Sequence, residues 1–157
     1  MDQNNLQKET YFVAVKMFLE KDGKFLILKD NFGDWDLPGG RIKKDEFTTP
    51  LEEVVSRKIK EELGEAIQYR VEAKPEIFMR HERVEAVSGN PTARIFALGY
   101  RATLETGEIQ LSPRHTELRW ADPLSFDPES CFKGGWLMGV KEYLALKRGE
   151  GGAEVSR

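Results

Sequence analysis

Residues 57–64, Arg-Lys-Ile-Lys-Glu-Glu-Leu-Gly, place two adjacent carboxylates, Glu61 and Glu62, just ahead of a glycine, with Lys58 one helical turn before Glu62. On a helical wheel Leu51, Val54, Val55, Ile59 and Leu63 form one apolar arc, the side that must face a core. Glu62 and Lys58 fall inside that arc and Glu61 sits at its edge. Charge on the buried side of a helix is unfavourable unless it is paired or bound to a metal. A Lys58–Glu62 pair at i,i+4 spacing, reaching the rim of the core, is one answer, worth about 0.3 kcal/mol when exposed. The other is that the carboxylates project past a sheet edge to hold a hard divalent cation such as Mg2+, which takes oxygen ligands and keeps positions for phosphates. The helix alone leaves both open.

The elements that must position these groups follow from pattern. Tyr11–Leu19 and Lys24–Lys29, rich in β-branched and aromatic residues, read as two strands joined by a hairpin at Lys21-Asp22-Gly23. Residues 31–45 hold three glycines and a proline and read as a long loop. The helix that follows is signposted by Thr49 as cap, Pro50 in its first turn and Glu52 completing a Thr-x-x-Glu box, and Gly64 ends it at a left-handed position. Further strands are expected at Glu76–Arg83, Ala93–Thr103 and Glu108–Leu111, with turns at Ser88-Gly89-Asn90-Pro91 and Thr106-Gly107. Leu137, Val140 and Leu144 recur at helical spacing, which predicts a second helix over 135–148 with Gly149 as its stop. The order describes one α+β domain over residues 1–149, helices packed against a mixed or antiparallel sheet, followed by a flexible tail at 150–157.

Composition narrows the function class. A chain of 157 residues suits one domain that buries roughly 70% of its unfolded surface. It is 39% apolar, with no run of the ~18 apolar residues that span a bilayer, and the first residues lack a signal-peptide core. One cysteine, Cys131, and two histidines, His81 and His115, argue against a disulfide framework or a thiolate or imidazole zinc site. Net charge is −3 with 32% charged residues, which gives no support to a nucleic acid duplex as partner. A cytoplasmic protein without a membrane partner is expected. No nucleophile elbow, P-loop or dinucleotide fingerprint is present.

Trp35-Asp36-Leu37-Pro38-Gly39-Gly40, Glu46, Arg57, Ile59, Glu61, Glu62 and Gly64 together resemble the Nudix hydrolase box, Gly, five residues, Glu, seven residues, Arg-Glu-aliphatic-x-Glu-Glu-x-Gly-aliphatic. Ten residues rather than seven separate Glu46 from Arg57, Lys58 stands where the family has a glutamate, and Glu65 takes the last aliphatic position. The three extra residues can be absorbed around Phe47–Thr49, ahead of the helix. The resemblance implies a sandwich of a mixed or antiparallel sheet between helices and a pyrophosphohydrolase that uses Mg2+ or Mn2+ to cleave a diphosphate bond in a small nucleotide-like substrate. It implies Glu62 as principal metal ligand, Glu61 as a second ligand, the Gly39 carbonyl as a further oxygen, and an Arg57–Glu46 pair that, with Gly40 and Gly64, holds the box together. Glu117 resembles a downstream loop glutamate that serves the family as base or extra ligand. Trp35 and Phe32 could stack on a base, loop packing being the ordinary alternative; Arg41, Lys43, Lys44 and Arg80 could meet phosphates. Trp120 and Trp136 read as core. Lys58 would repel the expected cation or take its place, so a Nudix-fold domain that binds a nucleotide or protein without hydrolysing it is the alternative. The assembly state is open, a homodimer included.

Overall fold

The computed structural model describes residues 7–84 and 92–155, so the expected turn at residues 88–91 lies outside the described residues. Strand β1, Phe12–Lys21, is the axis of the fold. It turns into β2, Lys24–Asp30, through Asp22 and Gly23, whose φ values of 52° and 78° supply the two positive angles a type I′ hairpin turn needs. Beyond the hairpin end β1 leaves β2 and pairs instead with β4, Gly39–Arg41, so that Lys16 faces Gly39 and Val15 faces Gly40. On its other side β1 runs parallel to the long strand β7, Thr92–Thr106. Strands β5, Gln68–Val71, and β6, Ile77–Val84, both pair antiparallel with β7. Strand β2 in turn carries β3, Trp35–Asp36, on one edge and β8, His115–Ala121, on the other. The sheet is therefore mixed.

Period-two alternation divides β1 between two cores. Ala14 and Phe18 face a layer closed by α2, Gly134–Val155, where Phe18 stacks on Tyr143 at 4.4 Å between ring centroids. Val15, Met17 and Leu19 face a layer closed by α1, Leu51–Leu63, through Val54, Val55, Ile59 and Leu63. The sheet between two helices is the sandwich expected for the sequence.

Several local expectations are corrected. Pro50, not Thr49, occupies the cap position of α1, with φ −53° and ψ 139° and no side-chain capping bond, so the Thr49–Glu52 box does not form. The proline fixes an extended entry and its carbonyl accepts from Glu53 and Val54. Gly64 has φ 88° but ψ −177°, an extended mirror-image conformation rather than the left-handed helical one. Residues 108–111 form no strand. Ile109 and Leu111 pack on the α1 core while the Gln110 and Ser112 N–H groups donate to the Leu63 and Glu62 carbonyls, 2.9 and 3.1 Å. These bonds satisfy helix-end acceptors that would otherwise be orphaned. Nor does Gly149 stop the last helix, which runs on to Val155.

Candidate active site

The loop and the helix carrying the box are locked together by one ion pair. Arg57 Nε and Nη2 donate to Glu46 Oε2 and Oε1, both at 2.6 Å, and Nη2 also reaches the Arg41 carbonyl at 3.4 Å. Residues 47–50 join a single 3-10 turn, Lys44–Glu46, to α1. The Arg57 hydrogen bonds hold the Glu46 carboxyl below its ordinary pKa, so its contribution to stability is present above the ordinary carboxylate range and is lost as pH falls through the lowered value. Glu46→Gln is expected to lower the melting temperature by about 5 °C at pH 7, with the gap to wild type closing in acid, as differential scanning calorimetry would show.

Glu62 sits behind the clamp, 14% exposed, and its Oε2 accepts the Gly39 N–H at 2.9 Å. Burial raises its pKa, with the Lys16 charge and the Gly39 hydrogen bond pulling the other way. Gly39 can approach because it lacks a side chain: at φ 137°, a Cβ there would lie 2.0 Å from the Val15 carbonyl oxygen. Glu61, 41% exposed, takes Arg57 Nη1 at 2.8 Å and Lys58 Nζ at 3.1 Å. Burial alone would raise the Glu61 pKa, but these hydrogen bonds bring it below the ordinary range. Lys58 is only 12% exposed, its Nζ 3.9 Å from Glu62 Oε1, and it lies against Gly40. It points inward, among the carboxylates.

Arg57, Lys58, Glu61 and Glu62 line a cleft of about 590 Å³. Arg41, Lys43 and Arg114 complete its cationic wall, and the Arg41 guanidinium stands 4.6 Å from the centroid of the Phe12 ring. Arg114 has no motif to announce it. The bonds of residues 110–112 to the end of α1 bring its segment there.

The remaining sequence-expected residues lie elsewhere. Glu117 is exposed and belongs to strand β8 rather than to a loop; its neighbour Leu118 packs toward α1, so alternation turns Glu117 to the opposite face, and it does not line the cleft. Arg80 is exposed on β6, beside Tyr11 and Arg94, and Lys44 is outside the cleft. Phe32 is exposed and Trp120 packs in the α1 core. Trp35 lines a second cavity of about 450 Å³ on the α2 side, with His81 and Trp136 stacked at 4.5 Å. The Arg119 guanidinium lies 4.4 Å from the Trp35 ring centroid. Behind this cavity Lys16 is almost fully buried, its Nζ bonded to both oxygens of Asp36 at 2.9 and 3.0 Å and 5.1 Å from the Trp136 ring centroid. The only signal for it is a lone lysine within an apolar run.

His81 Nδ1 accepts the Gly135 N–H at 3.1 Å, and burial lowers its pKa despite the nearby Asp36 charge. A depressed imidazole pKa contributes stability above the ordinary value near ~6.5 and loses it as pH falls through the folded-state value. The urea midpoint should therefore fall between pH 7.5 and 5.5, and His81→Gln, which can still accept from Gly135, should flatten part of that fall.

The NUDIX domain model matches residues 10–133. The chain belongs to the Nudix hydrolase family. No curated protein matches the Nudix chain by sequence. Among solved structures, it is similar to an ADP-ribose pyrophosphatase from Streptococcus suis 89-1591, with 19% identity over 88% of this chain and 93% of that one and a TM-score of 0.61. It is similar to a MutT NUDIX hydrolase from Burkholderia pseudomallei, with 24% identity over 85% and 98% and a TM-score of 0.60. A MutT protein from Methanosarcina mazei Go1 shares 20% identity over 92% and 97%, with a TM-score of 0.60. At these identities the Nudix fold is what is shared.

Proposed function

We propose that the chain hydrolyses a diphosphate bond in a small nucleotide-like substrate, a nucleoside diphosphate linked to another group, with Mg2+ or Mn2+. The observation that carries this reading is the placement of Glu61 and Glu62 at one side of a cleft walled by Arg41, Lys43 and Arg114. The donor set is all oxygen, which suits a hard cation. Among the described residues no three Asp, Glu, His or Cys side chains gather into a metal cage. Mg2+ commonly takes only one or two carboxylates and completes its shell with water and substrate phosphates, so the pair fits an ion held jointly with a diphosphate. Glu62 and Glu61 would hold it, with the Gly39 carbonyl as a further oxygen. Once bound, the ion neutralises and orients the diphosphate and activates water.

The protein's own groups do the rest. Arg41, Lys43 and Arg114 draw the phosphates in and offset their charge. Arg57 holds the loop on the helix through Glu46 and steers Glu61. Trp35, with the His81–Trp136 stack, offers aromatic surface to a base in the second cavity. That the Streptococcus suis relative is named for ADP-ribose supports a substrate of this size.

The test is Mg2+- or Mn2+-dependent release of phosphate or nucleoside monophosphate from a panel of nucleoside diphosphate sugars, dinucleoside polyphosphates and nucleoside triphosphates. Turnover of at least one, lost on chelation, is the expected result. Lys58 favours the second reading, a domain that binds such a ligand without cleaving it: its ammonium is already on Glu61. Saturable nucleotide binding with no turnover under either metal would decide for that reading.

A further inference from the structure

We propose that Lys58 is the resident cation of the α1 carboxylates: without nucleotide its ammonium pairs with Glu61 and Glu62, and a divalent ion enters only by displacing it. This rests on the placement of the metal at these carboxylates proposed above, and deepens it.

Three contacts fix the lysine there. Its Nζ is 3.1 Å from Glu61 Oε2 and 3.9 Å from Glu62 Oε1. Its stem lies so close to Gly40 that a Cβ on that glycine would come within 2.6 Å of Lys58 Cε and 2.7 Å of Nζ. The side chain is mostly buried, so this is no surface lysine reaching back for a loose pair. An ordinary i,i+4 pair would leave Glu61 to solvent, whereas this ammonium is nearer Glu61 than Glu62 and lies within ion-pair distance of both.

Local charge explains why the arrangement is stable. Glu46 is consumed by Arg57, and Glu61 takes one bond from Arg57 and one from Lys58. A divalent ion arriving at the same oxygens meets an ammonium within a few ångströms, and like charges so close repel strongly in a half-buried site. The lysine has a flexible four-carbon stem and three donors, and the cleft it lines also carries Arg41, Lys43 and Arg114, a cationic wall suited to an anion. Phosphate oxygens supplied there give the ammonium another partner, so diphosphate binding frees the carboxylates for the metal. Metal and diphosphate then bind with positive coupling, each raising the affinity for the other by the same factor. A carboxylate at this position would instead attract the ion before any nucleotide arrived.

The experiment is Mn2+ binding to the nucleotide-free protein, read from the electron paramagnetic resonance signal of the remaining aquo ion. K58Q is expected to bind Mn2+ at least about tenfold tighter than wild type, and K58Q/E62Q to lose that gain. K58M serves as the second neutral variant, and a melting curve shows that each is folded. Adding inorganic pyrophosphate should tighten Mn2+ binding to wild type by more than its binding to K58Q. Equal Mn2+ affinity of wild type and both neutral variants overturns the proposal, and so does a gain that survives Glu62→Gln. Turnover is not used, so the two readings fail separately. An inert protein that shows the Lys58 effect sinks only the hydrolase reading; an active one whose Mn2+ affinity ignores Lys58 sinks only this proposal.

Discussion

Glu62→Gln is expected to reduce metal-dependent turnover by about a thousandfold while leaving the protein folded. The amide is the same shape as the carboxylate and its oxygen can still accept the Gly39 N–H, so the contact between α1 and β4 survives. What disappears is the charge. Glu62 is the more buried of the two cleft carboxylates, and its pKa is raised because burial penalises the ionised form. A raised folded-state pKa costs stability at pH values above it, so neutralising the group should raise the melting temperature at pH 8, with the difference shrinking in acid. Loss of rate with gain of stability is the signature of a group kept for function, as is common where charge is buried at a site. Phosphate release and thermal melts on the same preparation check both halves. Glu62→Gln with full turnover would remove this residue from the site. Glu117→Gln is the useful comparison, because Glu117 lies on the opposite face of β8 and its loss is expected to change the rate less than about threefold.

What could be read from the chain beforehand follows the range of the interactions involved. The apolar runs that became β1, β2, β6 and β7 carry their own signal, and so does the arc of α1, because the relative direction of Lys58, Glu61 and Glu62 is fixed by helix geometry over two turns. Strands β3 and β4 have two and three residues and exist only because β2 and β1 offer them edges, so no propensity in a glycine-rich loop could show them. Strand β8 alternates charged with apolar residues and reads as surface until β2 pairs with it. Residues 108–111 mislead in the opposite sense: the alternation of Ile109 and Leu111 is real, but its apolar side packs on α1 while its N–H groups end a helix instead of joining a ladder. The site divides in the same way. Glu61 and Glu62 stand out on the helical wheel and Glu46 and Arg57 through the resemblance to the family box, whereas Arg114 and Lys16 are brought to their places by contacts between segments far apart in the chain.

Gly39→Ala should dismantle the site from the backbone, costing about 3 kcal/mol or more and lowering the melting temperature by about 10 °C. At φ 137° an alanine is strained before any neighbour is considered, and its Cβ would stand 2.0 Å from the Val15 carbonyl oxygen and 2.9 Å from the Lys16 Cα. Both are backbone atoms of the central strand, so β4 must move away. With it go the Gly39 N–H bond to Glu62 and the adjoining bond from Met17 N–H to the Pro38 carbonyl, 2.9 Å. Glu62 would be left buried without its donor, the costliest way to lose a hydrogen bond. The next residue provides the control. The three atoms nearest a Cβ on Gly40 would be Cε, Nζ and Cδ of Lys58, the outer part of a flexible side chain, so Gly40→Ala is expected to cost under about 1 kcal/mol and to push the ammonium off the carboxylates instead. Urea titrations of the two variants separate a glycine required by backbone packing from one that makes room for a cation. Equal destabilisation of both would mean that β4 does not sit against β1 as described.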